Sequence, residues 1–276
     1  MNSILAKKAF SANTTNVYLG VIKRLDKLNF KFPKSKPERV DYLKKFYEDN
    51  KFEKPSTRLN MLNIVIVLRT IEELPTDKLK EYRDELTKER VQTNIKTLNK
   101  LKDNIMSVDE FDESLFKSFE NKDHKRFISN YLMRTFGSRS MDIDVMIIKN
   151  KSDMTDDKQN YLLIGKKKIT WFRNTYKTVK KYGPQKHEID DPEFVKSVKE
   201  YGTGKLFTEK LLSNGIKKVI YNGMVESNIF KMLIAEAYDK KDTAEINRLS
   251  KSRGTSVPVI KDFYDLNAKP EIIRDI

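Results

Sequence analysis

The chain has 276 residues, no cysteine and two histidines, and 55 lysines and arginines outnumber 40 acids to give a net charge of +15. This composition excludes disulfides, thiol nucleophiles and cysteine-ligated metals, and two histidines argue against a histidine-based metal site. No apolar run approaches the ~18 residues of a membrane span, and the N-terminal apolar stretch is too short for a signal peptide. We therefore expect an intracellular protein with no metal, no small-molecule cofactor and no membrane partner.

Four helices are predicted in the first 95 residues, because apolar residues recur there at helical spacing. They run from Ser11, a candidate N-cap, to about Leu28, from Pro37 to about Tyr47, over Leu59–Glu73, and from Asp77 to about Asn94. Prolines and basic residues fill the loops between them. The sequence therefore predicts an all-helical domain over 1–95, followed by a linker or helix tail over 96–106.

A second domain is predicted over 107–276, where Ser107 and Glu110 form a capping box ahead of further helices. Short strands separated by polar turns are expected at 145–148, 161–164, 169–172 and 187–190. Helices are expected at 122–136, 193–202, 207–215, 225–239, 242–251 and 256–266. The predicted fold class is mainly α with a small antiparallel β-sheet: a helical N-terminal domain and an α+β domain.

The most basic stretch lies between Lys166 and Lys186, where eight cations occur without an acid and aromatic residues are interleaved. Such a stretch suits a nucleic-acid backbone better than a membrane surface, although a lysine-rich proteome would also raise the charge. The candidate DNA-binding residues, here and in the N-terminal domain, are Lys166, Lys167, Lys168, Arg173, Lys180, Lys181, Lys23, Arg24 and Arg58.

Several short segments resemble the tyrosine recombinase (integrase) family. SANTTNVYLGVIKRLDKL resembles the opening helix of the family's N-terminal core-binding domain, and KPSTRLNMLNIVIVL resembles a later helix of that domain. Tyr176–Gly183 matches the hairpin pattern YKTxKxYG, as in integrases of large DNA viruses. The resemblance implies a core-binding domain over 1–95 and a tyrosine-recombinase catalytic domain over 107–276.

The resemblance also implies a chemistry. A tyrosine of the family forms a 3′-phosphotyrosine with DNA, two arginines bind the phosphoryl oxygens, and a hairpin lysine protonates the leaving oxygen. Arg139, in an R-x-x-D motif, matches the first arginine. Lys177, with Lys180 as the alternative, matches the lysine, and Tyr264, nine residues after Thr255, matches the nucleophile. Double-stranded DNA and a homo-oligomer on DNA are the implied partners.

Three positions depart from the family pattern. Lys231 stands where the second arginine belongs, and Asn228 and Thr255 stand at the histidine positions. Lysine lacks the planar fork of arginine, and neither asparagine nor threonine transfers protons near neutral pH. No arginine lies between Arg173 and Arg248 to fill the second position.

Three functions therefore stay open. The first is site-specific DNA cleavage and rejoining, and the second is a catalytically inactive relative that binds DNA in genome organisation, packaging or virion structure. The third is a helical scaffold with incidental charge. Acidic groups such as Asp153–Asp157 fit loops and N-caps better than a two-metal nuclease, and no glycine-rich phosphate loop occurs.

Overall fold

The computed structural model describes residues 2–5, 8, 10, 12–33, 37–102, 104–207 and 218–267. They fall into two compact units, one ending at Lys96 and the other beginning at Thr97. The predicted N-cap Ser11 and most of the predicted helix 207–215 lie outside the described residues. None of the described helices is long and apolar enough to cross a membrane.

The first unit is helical, and its core is built from leucine, isoleucine and valine side chains of the middle helices. Its helices are α1 (Asn2–Leu5), α2 (Ala12–Lys27), α3 (Val40–Asp49), α4 (Pro55–Ile71) and the start of α5 (Asp77–Lys102). Leu25, Leu62 and Leu68 are fully buried. The fourth predicted helix is longer than expected, because Ile95 and Leu98 continue its apolar face and are both buried. Residues 96–102, predicted as a linker or helix tail, are therefore helical.

The second unit is α+β, as predicted. Its complete helices are α6 (Val108–Glu120), α7 (His124–Phe136), α8 (Val179–Tyr182), α9 (Pro192–Tyr201), α10 (Glu226–Asp239), α11 (Thr243–Arg253) and α12 (Val257–Tyr264). The capping box is confirmed: Ser107 Oγ accepts from the Glu110 backbone N–H, and the Glu110 carboxylate accepts from the Ser107 N–H. Trp171, Phe127 and Phe194 are fully buried in the core of this unit.

Five strands form one sheet in the order β4-β3-β2-β1-β5. They are β1 (Val145–Ile148), β2 (Asn160–Ile164), β3 (Ile169–Arg173), β4 (Gln185–Ile189) and β5 (Gly204–Lys205). The prediction of an antiparallel sheet is wrong at one pair, since β1 and β2 are parallel and the sheet is mixed. The segment 149–159 carries the chain back along the sheet, so that Val145 pairs with Asn160. β5 has two residues, too few for a sequence pattern.

Strand β3 runs from one end of the sheet to the other. At one end, here called the lysine end, the turn Gly165–Lys168 joins β2 to β3. At the other, the arginine end, β3 finishes at Arg173, which pairs with Gln185. Four residue steps of about 3.4 Å place the two ends roughly 14 Å apart. The basic stretch seen in the sequence is therefore divided between opposite ends of one sheet.

Candidate functional site

Arg139 lies in a tight turn after α7. The helix ends at Gly137, which has a φ of 59° and where an added Cβ would lie 3.0 Å from the Phe230 ring. The Arg139 backbone N–H donates to Asp142 Oδ2 at 2.8 Å. The aspartate side chain of the R-x-x-D motif therefore closes the turn. The half-buried Arg139 side chain then donates from Nη2 to Thr255 Oγ1 at 3.2 Å.

Asp142 and Arg173 form a buried ion pair behind this turn. Both side chains are fully buried, and Arg173 Nη2 lies 2.5 Å from Asp142 Oδ2. Arg173 Nη1 also donates to the Ser252 carbonyl at 2.7 Å and to Gln185 Oε1 at 2.9 Å. Burial raises the pKa of Asp142, and Arg173 opposes that rise. The prediction that Arg173 contacts DNA is wrong, because its guanidinium ties β3 to α11 inside the fold.

Arg253 is the residue that the sequence reasoning missed. It is 3% exposed, and its guanidinium carbon lies 4.2 Å from the centre of the Phe230 ring and 5.5 Å from that of Tyr264. Nη2 donates to Glu226 Oε1 at 2.6 Å, and Nη1 donates to the Gly137 carbonyl at 3.0 Å. The available signal was its position two residues before Thr255, which the sequence analysis singles out.

Arg139, Arg253, Thr255 and Tyr264 thus form one group, here called the arginine cluster. Tyr264 ends α12 and packs edge-to-face on Phe230, with ring centres 4.9 Å apart. Burial lowers the pKa of Arg139, and the charge of Arg253 lowers it further, while Tyr264 is among the groups that oppose the shift. Arg139 Nη1 is buried with no hydrogen-bond partner in the described part of the chain. The cluster therefore holds two close cations, a hydroxyl, a phenol and a spare donor.

The segment that carries Lys177 lies beside the cluster. It connects β3 to β4, and it packs so closely on Gly254 that an added Cβ there would lie 2.1 Å from Thr178 Oγ1. The Tyr176 hydroxyl donates to the Gly183 carbonyl at 2.7 Å and closes the segment. Lys177 is exposed, as are Lys180 and Lys181 on α8.

The two remaining predicted catalytic residues, Asn228 and Lys231, lie on α10. Glu226 and Phe230, one turn apart, contact the cluster. Asn228 is two residues after Glu226, about 200° around the helix. Lys231 is half-buried, and burial lowers its pKa. Among the described residues, no contact joins Lys231 or Asn228 to the arginine cluster, so their catalytic roles stay predictions.

The lysine end of the sheet is an exposed basic groove of about 640 Å³. Lys166, Lys167 and Lys168 are exposed in the turn, and the groove is also lined by Lys149 and Lys151. The Lys199 ammonium donates to the Lys166 carbonyl at 2.7 Å, and the Lys168 ammonium pairs with Glu188 at 2.5 Å. Three predicted DNA-binding residues therefore share an accessible surface with further lysines.

In the first unit, Lys23 and Arg24 are exposed on α2, and the Arg24 guanidinium lies 4.9 Å from the centre of the Phe52 ring. Arg58 differs, because Nε donates to the Phe52 carbonyl at 2.8 Å and Nη2 to the Glu53 carbonyl at 2.9 Å. Its third nitrogen lies 3.5 Å from Glu89. Arg58 therefore braces the start of α4, and its role in DNA binding stays a prediction.

The described ranges contain no group of three or more histidine, cysteine or acidic side chains arranged to hold a metal ion. Comparison with known proteins finds no matching family profile and no matching curated protein. Among solved structures, the chain is similar to XerA recombinase, with 14% identity and a TM-score of 0.37 over 96% of this chain and 94% of that one. That similarity is too low to assign a shared fold.

Proposed function

We propose that this chain is a DNA-binding protein of the tyrosine recombinase kind, which cleaves and rejoins DNA strands through a 3′-phosphotyrosine on Tyr264. The supporting observation is that residues far apart in the sequence meet at one place. Arg139 and Thr255, chosen by motif spacing and 116 residues apart, are hydrogen-bonded to each other. Tyr264 lies in the same cluster, and the Lys177 segment packs on Gly254 beside it. Residues without a shared role would seldom be brought together from such distant positions in the sequence.

The cluster suits a transesterification without a metal. The Tyr264 oxygen attacks phosphorus, its proton passes to solvent, and the bond from phosphorus to the 5′-oxygen breaks. Arg139 donates hydrogen bonds to the phosphoryl oxygens, and its Nη1, which has no acceptor among the described residues, is a donor that the substrate can use. Lys177 gives a proton to the leaving 5′-oxygen. Rejoining is the reverse, with a 5′-hydroxyl displacing the tyrosine.

We further propose that double-stranded DNA is held by the exposed cations and that the chain acts as a homo-oligomer on it. Both units present such cations: Lys166, Lys167, Lys168, Lys180 and Lys181 in the second unit, and Lys23 and Arg24 in the first. Phosphate contacts by these side chains would release counterions and make binding fall steeply with salt.

A second candidate is a catalytically inactive protein that holds DNA in genome organisation, packaging or a virion. One observation favours it. Arg253, the second guanidinium of the cluster, is 3% exposed, and both its Nη atoms are engaged with Glu226 and Gly137. Lys231 has no described contact with the cluster. A second phosphate-binding arginine, which the chemistry of the family uses, is therefore not freely presented.

Trapping of covalent adducts separates the two candidates. Wild type and Tyr264→Phe are incubated with fragmented DNA of the source genome and quenched with SDS. We expect an adduct in wild type only, with equal salt-sensitive DNA affinity in both. No adduct in wild type, together with tight binding, would favour the inactive DNA-binding protein. An adduct yield in Tyr264→Phe equal to that of wild type would mean that another residue is the nucleophile.

A further inference from the structure

We infer that Glu226 and Arg253 are a positioning pair that fixes the geometry between Arg139 and Tyr264, an inference that rests on the proposed function. Neither residue belongs to the set that the sequence resemblance points to. Together they form a continuous series of contacts from the turn that carries Arg139 to the ring of Tyr264.

Glu226 joins two separate segments with one carboxylate. Its Oε2 accepts hydrogen bonds from the Ser140 backbone N–H and from Ser140 Oγ, both at 2.8 Å. Its Oε1 accepts from Arg253 Nη2 at 2.6 Å. Ser140 directly follows Arg139, so the carboxylate connects the Arg139 turn to the end of α11. The Glu226 side chain is 19% exposed, which strengthens these charge-assisted bonds relative to a surface pair.

Arg253 connects Glu226 to Tyr264. Its guanidinium lies against the rings of both Phe230 and Tyr264, which themselves pack edge-to-face at an interplanar angle of 89°. The bond from Nη1 to the Gly137 carbonyl anchors the same side chain at the end of α7. A cation held at three points therefore limits where the Tyr264 ring can lie.

The charge of Glu226 is needed because the cluster brings two guanidinium groups together. Arg253 lowers the pKa of Arg139, which is the sign of repulsion between the two cations, and Glu226 acts in the opposite sense. Without the carboxylate, repulsion in a partly buried site would drive Arg139 and Arg253 apart. Since Arg253 is 3% exposed, we assign it to positioning through Tyr264 and Arg139 and not to contact with the phosphate.

The test uses the double variant Glu226→Gln/Arg253→Met, which removes both charges together. Losing one partner of a buried pair leaves an uncompensated charge, whereas replacing both restores much of the lost stability. The matched control is Asp112→Asn/Arg134→Met, which removes a bidentate pair between α6 and α7 in the same unit. We expect both double variants to fold and to bind DNA like wild type.

The functional readout is the yield of covalent adduct. We expect it to fall about 100-fold in Glu226→Gln/Arg253→Met, because a displacement near 1 Å of reacting groups has that effect. The control variant is expected to keep the wild-type yield. Arg253→Lys, which keeps the charge but not the fork, is expected to recover part of the loss. If wild type forms the adduct, an equal yield in the Glu226/Arg253 variant would overturn the inference.

A second readout does not depend on catalysis. Tyr264 is replaced by 3-fluorotyrosine, and its ¹⁹F resonance is compared in wild type, the Glu226/Arg253 variant and the control. We expect a shifted or broadened signal only when the positioning pair is removed. An unchanged signal would overturn the inference. If wild type forms no adduct but the signal moves, the proposed function fails while the positioning role stands.

Discussion

The two ends of the sheet carry the same kind of residue in opposite environments. At the arginine end, Arg173 is fully buried and bonded to Asp142. At the lysine end, Lys166 and Lys167 are exposed on the rim of an open groove. Both belong to the single basic stretch that dominates the sequence. A cation can therefore be part of the fold or part of a binding surface, and charge density along the chain does not distinguish the two.

This difference has an energetic counterpart. A buried guanidinium needs an opposite charge beside it, because removing that partner leaves a charge without solvent. An exposed lysine gains little from a pair at the surface and remains free to exchange it for a phosphate. The predictions below follow from this contrast, from the largest expected effect to the smallest.

The first prediction concerns Lys177, an exposed lysine at the arginine end. Lys177→Ala is expected to lower the rate of adduct formation by about 100- to 10,000-fold, because a general acid for the leaving oxygen is lost. DNA affinity should hardly change. Lys180→Ala, three residues further on, serves as the control, and its adduct rate should stay near wild type. The reverse pattern would assign the proton donor to Lys180.

The second prediction tests the structural role of Arg173. Arg173→Met leaves Asp142 buried without its partner and is expected to lower the free energy of unfolding by about 3–5 kcal/mol. Denaturant unfolding followed by circular dichroism measures this loss. Adding Asp142→Asn should recover part of it. A change below about 0.5 kcal/mol, typical of a surface site, would contradict the buried pair.

The third prediction concerns the lysine end. Replacing Lys166–Lys168 with glutamines should leave stability within about 0.5 kcal/mol of wild type. The slope of log affinity against log salt should become shallower by about 0.9 for each phosphate that the variant no longer neutralises. Glutamines at Lys122, Lys240 and Lys241, which remove the same charge elsewhere, are the control. An equal change in slope for both variants would mean that net charge alone drives binding.

The smallest predicted effect is on His187, which pairs with Trp171 at the middle of β3. Burial, with Arg173 and Arg248, lowers the pKa of His187 to about 4, and its ring packs near Phe136 and Trp171. The unfolded chain takes up this proton near pH 6.5 and the folded chain only near 4, so acidification across that window favours unfolding. Wild type should lose more thermal stability than His187→Gln between about pH 7 and 4.5. Parallel losses would contradict the assignment.

Much of the fold could be predicted from the sequence, because periodicity and caps are local signals. Apart from the short α8, the helices from Ser107 onwards that fall in described residues, and four of the five strands, lie close to the predicted ranges. The parallel pairing of β1 with β2 could not be predicted, since it depends on the path of 149–159. The extension of α5 to Lys102 was left open as a linker or helix tail, because polar residues there obscure the buried Ile95 and Leu98.

The candidate site was predictable only where motifs are short and local. Arg139, Thr255 and Tyr264 followed from motifs of the family that the sequence resembles, and the structure brings them together. Arg253 and Glu226 were missed because their pairing joins residues 27 apart, which no local pattern encodes. Arg173 was misassigned because sequence shows its charge and not its burial.

The most direct test of the central claim is to identify which of the twelve tyrosines carries the nucleotide. Trapped adducts are digested with nuclease and protease, and the modified peptide is sequenced by mass spectrometry. The arrangement of the arginine cluster predicts a single nucleotide-bearing residue, Tyr264. Modification of a different tyrosine, such as the exposed Tyr182, would contradict the assignment of the cluster as the reacting site.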